Sequence, residues 1–132
     1  MKIHFVIAWF VAFLLGSAGL ASADLYVIAN KATPITAEEI KDAFLGEKQF
    51  SGSLRLVPVD NVAIQEEFIV RVLNMDIDKY NNFWTKKSFR EGINPPVGRS
   101  GDAEVTEFVR RTPGAIGYVK SAPRGVIVIR KY

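Results

Sequence analysis

Cysteine is absent from the 132 residues, and the only histidine is His4. A chain with no thiol forms no disulfide, so packing alone must hold its fold. The same gap excludes Cys–His nucleophile pairs and thiolate zinc sites. With His4 in the leader, Ser–His catalysis is excluded from the rest of the chain as well. No thiol follows the leader to carry a lipid. Charge is also modest, 17 Lys and Arg against 14 Asp and Glu. Nucleic-acid binders usually show a stronger and more clustered basic excess. There are no internal repeats, no low-complexity tracts and no linker rich enough to divide a domain.

What is present begins with an address. Lys2 gives a positive start, an apolar run extends from Phe5 to Leu15, and Ala21-Ser22-Ala23 places small residues where a signal peptidase reads. The pattern is that of a secretory signal over residues 1–23, cleaved before Asp24. The alternative is an uncleaved anchor, for which the apolar run is short of the roughly 20 residues a span needs. Cleavage would leave 109 residues with 16 basic and 14 acidic side chains. Residues 24–132 are then one domain with a single modest core, periplasmic or secreted, with no membrane insertion after cleavage.

Leu25 to Ala29 is a continuous apolar run, the pattern of a strand buried on both faces. Thr36 to Glu39 reads as a capping box opening a helix with Ile40, Ala43 and Phe44 on one face, which Gly46 stops. A second strand is expected over Leu54–Val59, with Pro58 marking its end or an edge position. Asp60-Asn61 reads as an N-cap pair for a helix carrying Ile64, Phe68, Ile69, Val72 and Leu73. A third helix should start near Asp76 and run through Tyr80, Phe83 and Trp84 towards Phe89. Gly92 to Gly101 reads as a loop. Asp102 is expected to cap a short helix with Val105, Phe108 and Val109 inside, ended by Pro113-Gly114. Ala115–Val119 and Val126–Ile129 complete the strands, the second with a solvated end at Arg130-Lys131-Tyr132. Strands and helices in this order indicate helices packed on a central sheet.

Catalysis has little support in this inventory. Glu38-Glu39 and Glu66-Glu67 lie on amphipathic helices, where a solvated face accounts for them. Asp76 and Asp78 beside Asn74 suggest a calcium loop only superficially, because the required glycine and distal glutamate are missing, and helix capping is the better account. Tyr80, Phe83 and Trp84 share a helical face and suit a core better than a stacking platform.

Anion binding is better served. Two loop-to-helix junctions would present unpaired N–H groups and a positive dipole end. The first is Val59-Asp60-Asn61-Val62. The second is Gly98-Arg99-Ser100-Gly101-Asp102, where Arg99 offers a bidentate contact, Ser100 a hydroxyl, and Gly98 and Gly101 a close backbone approach. Plain N-capping by Asp60 and Asp102 is the simpler account of both junctions.

Several segments together resemble a known family. Phe44-Leu45-Gly46, the strand Leu56-Val57-Pro58-Val59, Phe83-Trp84, and above all Thr112-Pro113-Gly114-Ala115-Ile116-Gly117-Tyr118-Val119 are similar to one lobe of the phosphate-type periplasmic substrate-binding proteins of ABC transporters. The resemblance runs from about Leu25 to Val119. It implies an α/β fold, a single lobe of a type II periplasmic-binding-protein-like fold with a central mixed sheet and helices packed on it. It also implies an oxyanion held by backbone N–H groups, hydroxyls, an arginine and an acceptor carboxylate, without metal or organic cofactor. On this chain the ligand-binding residues would be Asp60, Asn61, Arg99, Ser100 and Gly101.

Two departures stand out. A two-lobed member needs roughly twice this length, since the cleft closes over its solute from both sides. Where the family usually carries a Ser-Gly-Thr cradle, this chain has Asp60-Asn61-Val62-Ala63. The expected function is therefore a non-enzymatic, exported domain binding phosphate or a similar small oxyanion in uptake or sensing, with an ABC permease or another envelope protein as partner. The alternative is an accessory module that keeps the fold but has lost the ligand site and docks on another protein. A symmetric homodimer would rebuild a two-walled cleft and unite the two.

Overall fold

The computed structural model describes residues 24–132, so the signal peptide expected over 1–23 lies outside the described residues. Five strands form the main sheet. In chain order they are β1 (Tyr26–Ala29), β4 (Val57–Asn61), β5 (Val97–Arg99), β6 (Ala115–Val119) and β7 (Ile127–Lys131), and they lie side by side as β5-β4-β6-β1-β7. β4 runs parallel to β5 and β6, whereas β1 runs antiparallel to β6 and β7. A separate two-stranded hairpin joins β2 (Phe50–Ser51) to β3 (Leu54–Arg55). The helices are α1 (Ile40–Phe44), α2 (Gln65–Arg71), α3 (Ile77–Glu91) and α4 (Asp102–Arg111). The expected mixed α/β sheet with packed helices is the observed architecture.

The alternation of side chains along each strand divides the core in two. One cluster joins Val27, Ile116 and Tyr118 to Phe44 of α1, Phe68 and Ile69 of α2, and Tyr80 and Trp84 of α3. The other joins Ile28, Val59, Ala115 and Val119 to Val105 and Val109 of α4. Helices therefore cover both faces, three on one side and α4 on the other. β1 and β6 run between the two layers, which is why their sequences read as unbroken apolar runs. In the larger layer Phe68 stacks flat on Tyr118, with ring centroids 3.8 Å apart.

The glycines of the Pro113-to-Val119 motif serve close packing. Gly117 faces α4, and a Cβ there would stand 2.6 Å from Val105 Cγ1 and 3.2 Å from Val109 Cγ2. Gly114 has φ +91°, and a side chain would drive into the Arg55 carbonyl. Its N–H donates to Thr33 Oγ1 at 2.7 Å, and its carbonyl accepts from Val57 N at 2.8 Å. At the end of β1, Asn30 donates through Nδ2 to the Val109 and Arg110 carbonyls at 2.9 and 3.0 Å, capping the C-terminus of α4.

Several expectations need correction. Leu54–Val59 is not one strand: Leu54–Arg55 turns back on β2, and the sheet strand starts at Val57 and continues to Asn61. Pro58 stands inside β4, which has neighbours on both sides. It is tolerated because β5 begins only opposite Val59, so the side where an N–H is missing is locally an edge. The stretch Gly92–Gly101 contains β5 rather than loop alone. The helix opened at Thr36 begins with a 3-10 turn over Ala37–Glu39, although Glu39 does reach back, accepting from Thr36 N at 2.9 Å. Tyr80 and Trp84 are buried as expected and Phe83 packs partly buried against the same core, while the helix runs on past the exposed Phe89 to Glu91. The final strand closes one sheet edge with an exposed end, and Asp76 caps α3 by accepting from Lys79 N at 2.8 Å.

Candidate functional site

The parallel strands β4 and β5 end at Asn61 and Arg99, the place where open α/β sheets present ligand crevices. The loops that follow lead into α2 and α4. All five residues expected to bind a ligand, Asp60, Asn61, Arg99, Ser100 and Gly101, therefore come to one end of the sheet. They do not converge on one space. Asp60 and Asn61 are consecutive strand residues, and their side chains leave on opposite faces.

Asp60 is buried at 3% exposure on the face covered by α2 and α3. Tyr118 Oη donates to its Oδ1 at 2.8 Å, Tyr80 Oη to its Oδ2 at 2.9 Å, and Gln65 Nε2 to Oδ2 at 3.1 Å. Burial raises the Asp60 carboxyl above its ordinary value, against the lowering effect of these three donors. Burial, reinforced by the nearby carboxylate, also pushes both phenols well above the usual tyrosine range. The expected N-cap role for Asp60 and Asn61 is thus overturned. Both belong to β4, and α2 starts four residues beyond, after Ile64. Sequence reading did not find Tyr118 and Tyr80 as site residues, because they stand 58 and 20 residues from Asp60.

Asn61 is fully buried on the α4 face. Its Nδ2 donates to Asp102 Oδ1 at 2.9 Å and to the Tyr118 carbonyl at 3.1 Å, while its Oδ1 accepts from Ala63 N at 3.2 Å. Asp102 is the first residue of α4, not its cap; the N-cap is Gly101, with φ +135°. The Asp102 carboxylate is turned across the strand ends, where its Oδ2 accepts from Lys120 N at 3.0 Å. Lys120 Nζ in turn lies 3.0 Å from Glu67 Oε2. Partial burial opposes ionisation of Glu67, but hydrogen bonds from Lys120 and Arg71 outweigh it and hold its carboxyl below the ordinary range.

The second junction carries its own anion. Both the hydroxyl and the N–H of Ser100 donate to Glu104 Oε2, the N–H at 2.9 Å. The Ser100 hydroxyl, helped by its backbone N–H, holds the Glu104 carboxyl below its usual value. Arg99 lays its guanidinium over the Phe108 ring at 4.7 Å, and its Nε is buried with no acceptor among the described residues. Its carbonyl accepts from Val62 N at 2.8 Å. Val62, 60% exposed, covers Gly98 where the resembled cradle would carry a hydroxyl.

Apart from Arg99 Nε, the donors described at this end of the sheet are satisfied from within. Ser100, Lys120 N, Asn61 Nδ2 and both buried phenols each donate to a carboxylate of the chain itself. Among the described residues, no helix is long and apolar enough to cross a membrane.

No protein-family model matches the chain, and no curated protein matches it. Among solved structures, an ABC-type phosphate transport receptor from Vibrio cholerae is similar at 12% sequence identity and TM-score 0.51, covering 82% of this chain and 46% of the receptor. PstS from Borrelia burgdorferi is similar at 17% identity and TM-score 0.46, covering 74% of this chain and 41% of that one. The chain spans less than half the length of either. The likeness to the Vibrio receptor is one of fold alone: a mixed α/β sheet with helices on both faces.

Proposed function

We propose that this chain is an exported, phosphate-receptor-like domain that works as a docking module of an uptake or sensing system in the cell envelope. It keeps the receptor fold and presents the carboxyl ends of β4 and β5 to a protein partner. The observation that carries this reading is the occupation of that end by Asp60, Asp102 and Glu104, which take the donors a phosphate would need. A dianion placed at the start of α4 would face the carboxylates of Asp102 and Glu104, and Lys120, the lysine on that side, is already paired with Glu67.

Thermal unfolding in phosphate against chloride tests this reading, since a ligand that binds only the folded state raises the midpoint. The docking module shows no phosphate-specific rise.

A second reading, capture of phosphate or a similar oxyanion, has one specific observation in its favour. The buried Arg99 Nε has no acceptor among the described residues, and an oxyanion between this face and a second wall would supply one. That wall would come from a partner or from a second copy of the chain. A phosphate response that appears only on dimerisation, and is lost in Arg99→Ala, distinguishes this reading from the first.

A further inference from the structure

β7 is the outer strand at one side of the main sheet, the opposite edge from β5. Its inner side pairs with β1, and the pair just beyond that ladder fixes which backbone groups face outward. Leu25 and Tyr132 exchange both hydrogen bonds, Leu25 N to Tyr132 O at 3.3 Å and Tyr132 N to Leu25 O at 2.8 Å. Antiparallel pairs alternate, so the N–H and C=O of Arg130 also turn towards β1, while those of Lys131 turn away from it. The side chains repeat one pattern on both faces. Val128 lies opposite Ile28 and Lys131 opposite Tyr26, on the α4 side. Ile127 lies opposite Ala29 and Arg130 opposite Val27, on the side of the larger layer. Each face of this edge therefore offers a half-exposed apolar side chain, Val128 at 40% or Ile127 at 44%, followed by an exposed cation. Ile129 is the extra residue where the register shifts, and it packs against the larger layer.

We infer that the β7 edge is a docking site for an extended acidic segment of a partner protein, which adds to the sheet as a further strand beside β7. Charge singles out that occupant. From Arg110 to Tyr132 the chain has six Lys and Arg and no Asp or Glu. Arg130 has no ion pair among the described residues, its guanidinium lying over the Tyr132 ring at 5.1 Å. Lys131 has only Asp24 at 3.6 Å, an exposed pair that holds it weakly. Charged edges resist pairing with a neutral or basic strand, so the two cations that deter aggregation select an acidic one. A second copy of β7 brings no acid, and neither do residues 1–23. Neighbouring residues of a strand face opposite sides, so cations on both faces are met by two adjacent acids. An antiparallel partner, the stronger pairing, reads acid-acid-x-apolar-apolar along its chain. Main-chain hydrogen bonds supply the affinity and side-chain pairs the selectivity. This site is separate from the docking reading above, because β7 and β5 are opposite edges of the sheet.

Amide hydrogen exchange of the full chain, read residue by residue by NMR, tests this with the acetylated and amidated peptide Thr-Glu-Asp-Thr-Val-Ile-Thr at millimolar concentrations. The Lys131 N–H is expected to exchange freely in the chain alone and to slow as the peptide saturates. The slowing should reach about tenfold at about nine-tenths occupancy, when exchange proceeds from the free tenth. The Arg130 N–H, already turned to β1, should change little. The peptide with Gln and Asn in place of Glu and Asp should bind about tenfold more weakly. The chain carrying Arg130→Gln and Lys131→Gln, both exposed, should keep its unfolding midpoint and bind the acidic peptide about tenfold more weakly. The inference is overturned if the acidic peptide leaves Lys131 exchange as it was, or if the neutral peptide or the double variant binds as tightly. It is overturned too if Lys131 is already protected in the chain alone, since a second copy or residues 1–23 would then fill the edge. Peptide-induced shifts at Arg99 and Ser100 without Lys131 protection would also overturn it, while leaving the docking reading standing.

Discussion

Tyr118 donates its hydroxyl to the Asp60 carboxylate at 2.8 Å inside the larger core layer, joining β6 to β4 through side chains as well as backbone. The same phenol ring stacks flat on Phe68 of α2, so one residue fixes the charge, the sheet and a helix together. Tyr118→Phe keeps the stack and removes only the donor. It should destabilise the fold by about 1–3 kcal/mol, the cost of leaving a buried acceptor short of a partner. Chemical denaturation of both proteins measures the difference.

The raised Asp60 carboxyl predicts a pH dependence of definite sign. Between its unfolded value and its raised folded value, the native state holds the proton more tightly than the unfolded chain does. Stability from this group is therefore greatest at the acid side of that window and falls as pH rises through it. Glu67, held low, works in the opposite sense and loses its contribution as pH falls through its folded value. Comparing Asp60→Asn with the parent isolates the first effect. The parent should lose stability relative to the variant from the ordinary carboxylate range upward, as measured by denaturation across pH.

Gly117→Ala places a methyl group 2.6 Å from Val105 Cγ1, where α4 lies tightest on β6. Overpacking of this kind costs about 1–3 kcal/mol. A compensating Val105→Ala in the same chain should recover part of it, and a double-mutant cycle on unfolding free energies reads the coupling.

Glu104→Gln removes the negative charge that Ser100 holds at the start of α4. The pair is exposed, so the effect on stability should stay below about 1 kcal/mol. If internal carboxylates are what keep phosphate out, this variant should show a phosphate-dependent rise in midpoint that the parent lacks. Calorimetry in phosphate and in chloride compares the two.

The parts of this molecule that follow from local chemistry were legible in the sequence. The run Leu25–Ala29 is buried between two helix layers, Asp76 caps α3, and Ile40, Ala43 and Phe44 share an inner face. The misreadings arise where a distant partner decides. Asp60-Asn61 before an amphipathic period is a sound local signal for a helix cap, yet Tyr118 and Tyr80 draw Asp60 inward while Asp102 and the Tyr118 carbonyl draw Asn61 to the other face. Val97-Gly98-Arg99 has no apolar pattern of its own and is a strand only because β4 pairs with it. Glu104 is the nearest to a legible miss: Ser100 and Glu104 stand four apart at a helix start, a spacing close to the capping box recognised at Thr36.

The most direct test of the central claim is the unfolding midpoint of the protein in phosphate against chloride at matched ionic strength. Internal carboxylates that occupy the donors predict the same midpoint in both salts. A phosphate-specific rise of several degrees, abolished by Arg99→Ala, would contradict the account and make this chain an oxyanion receptor in its own right.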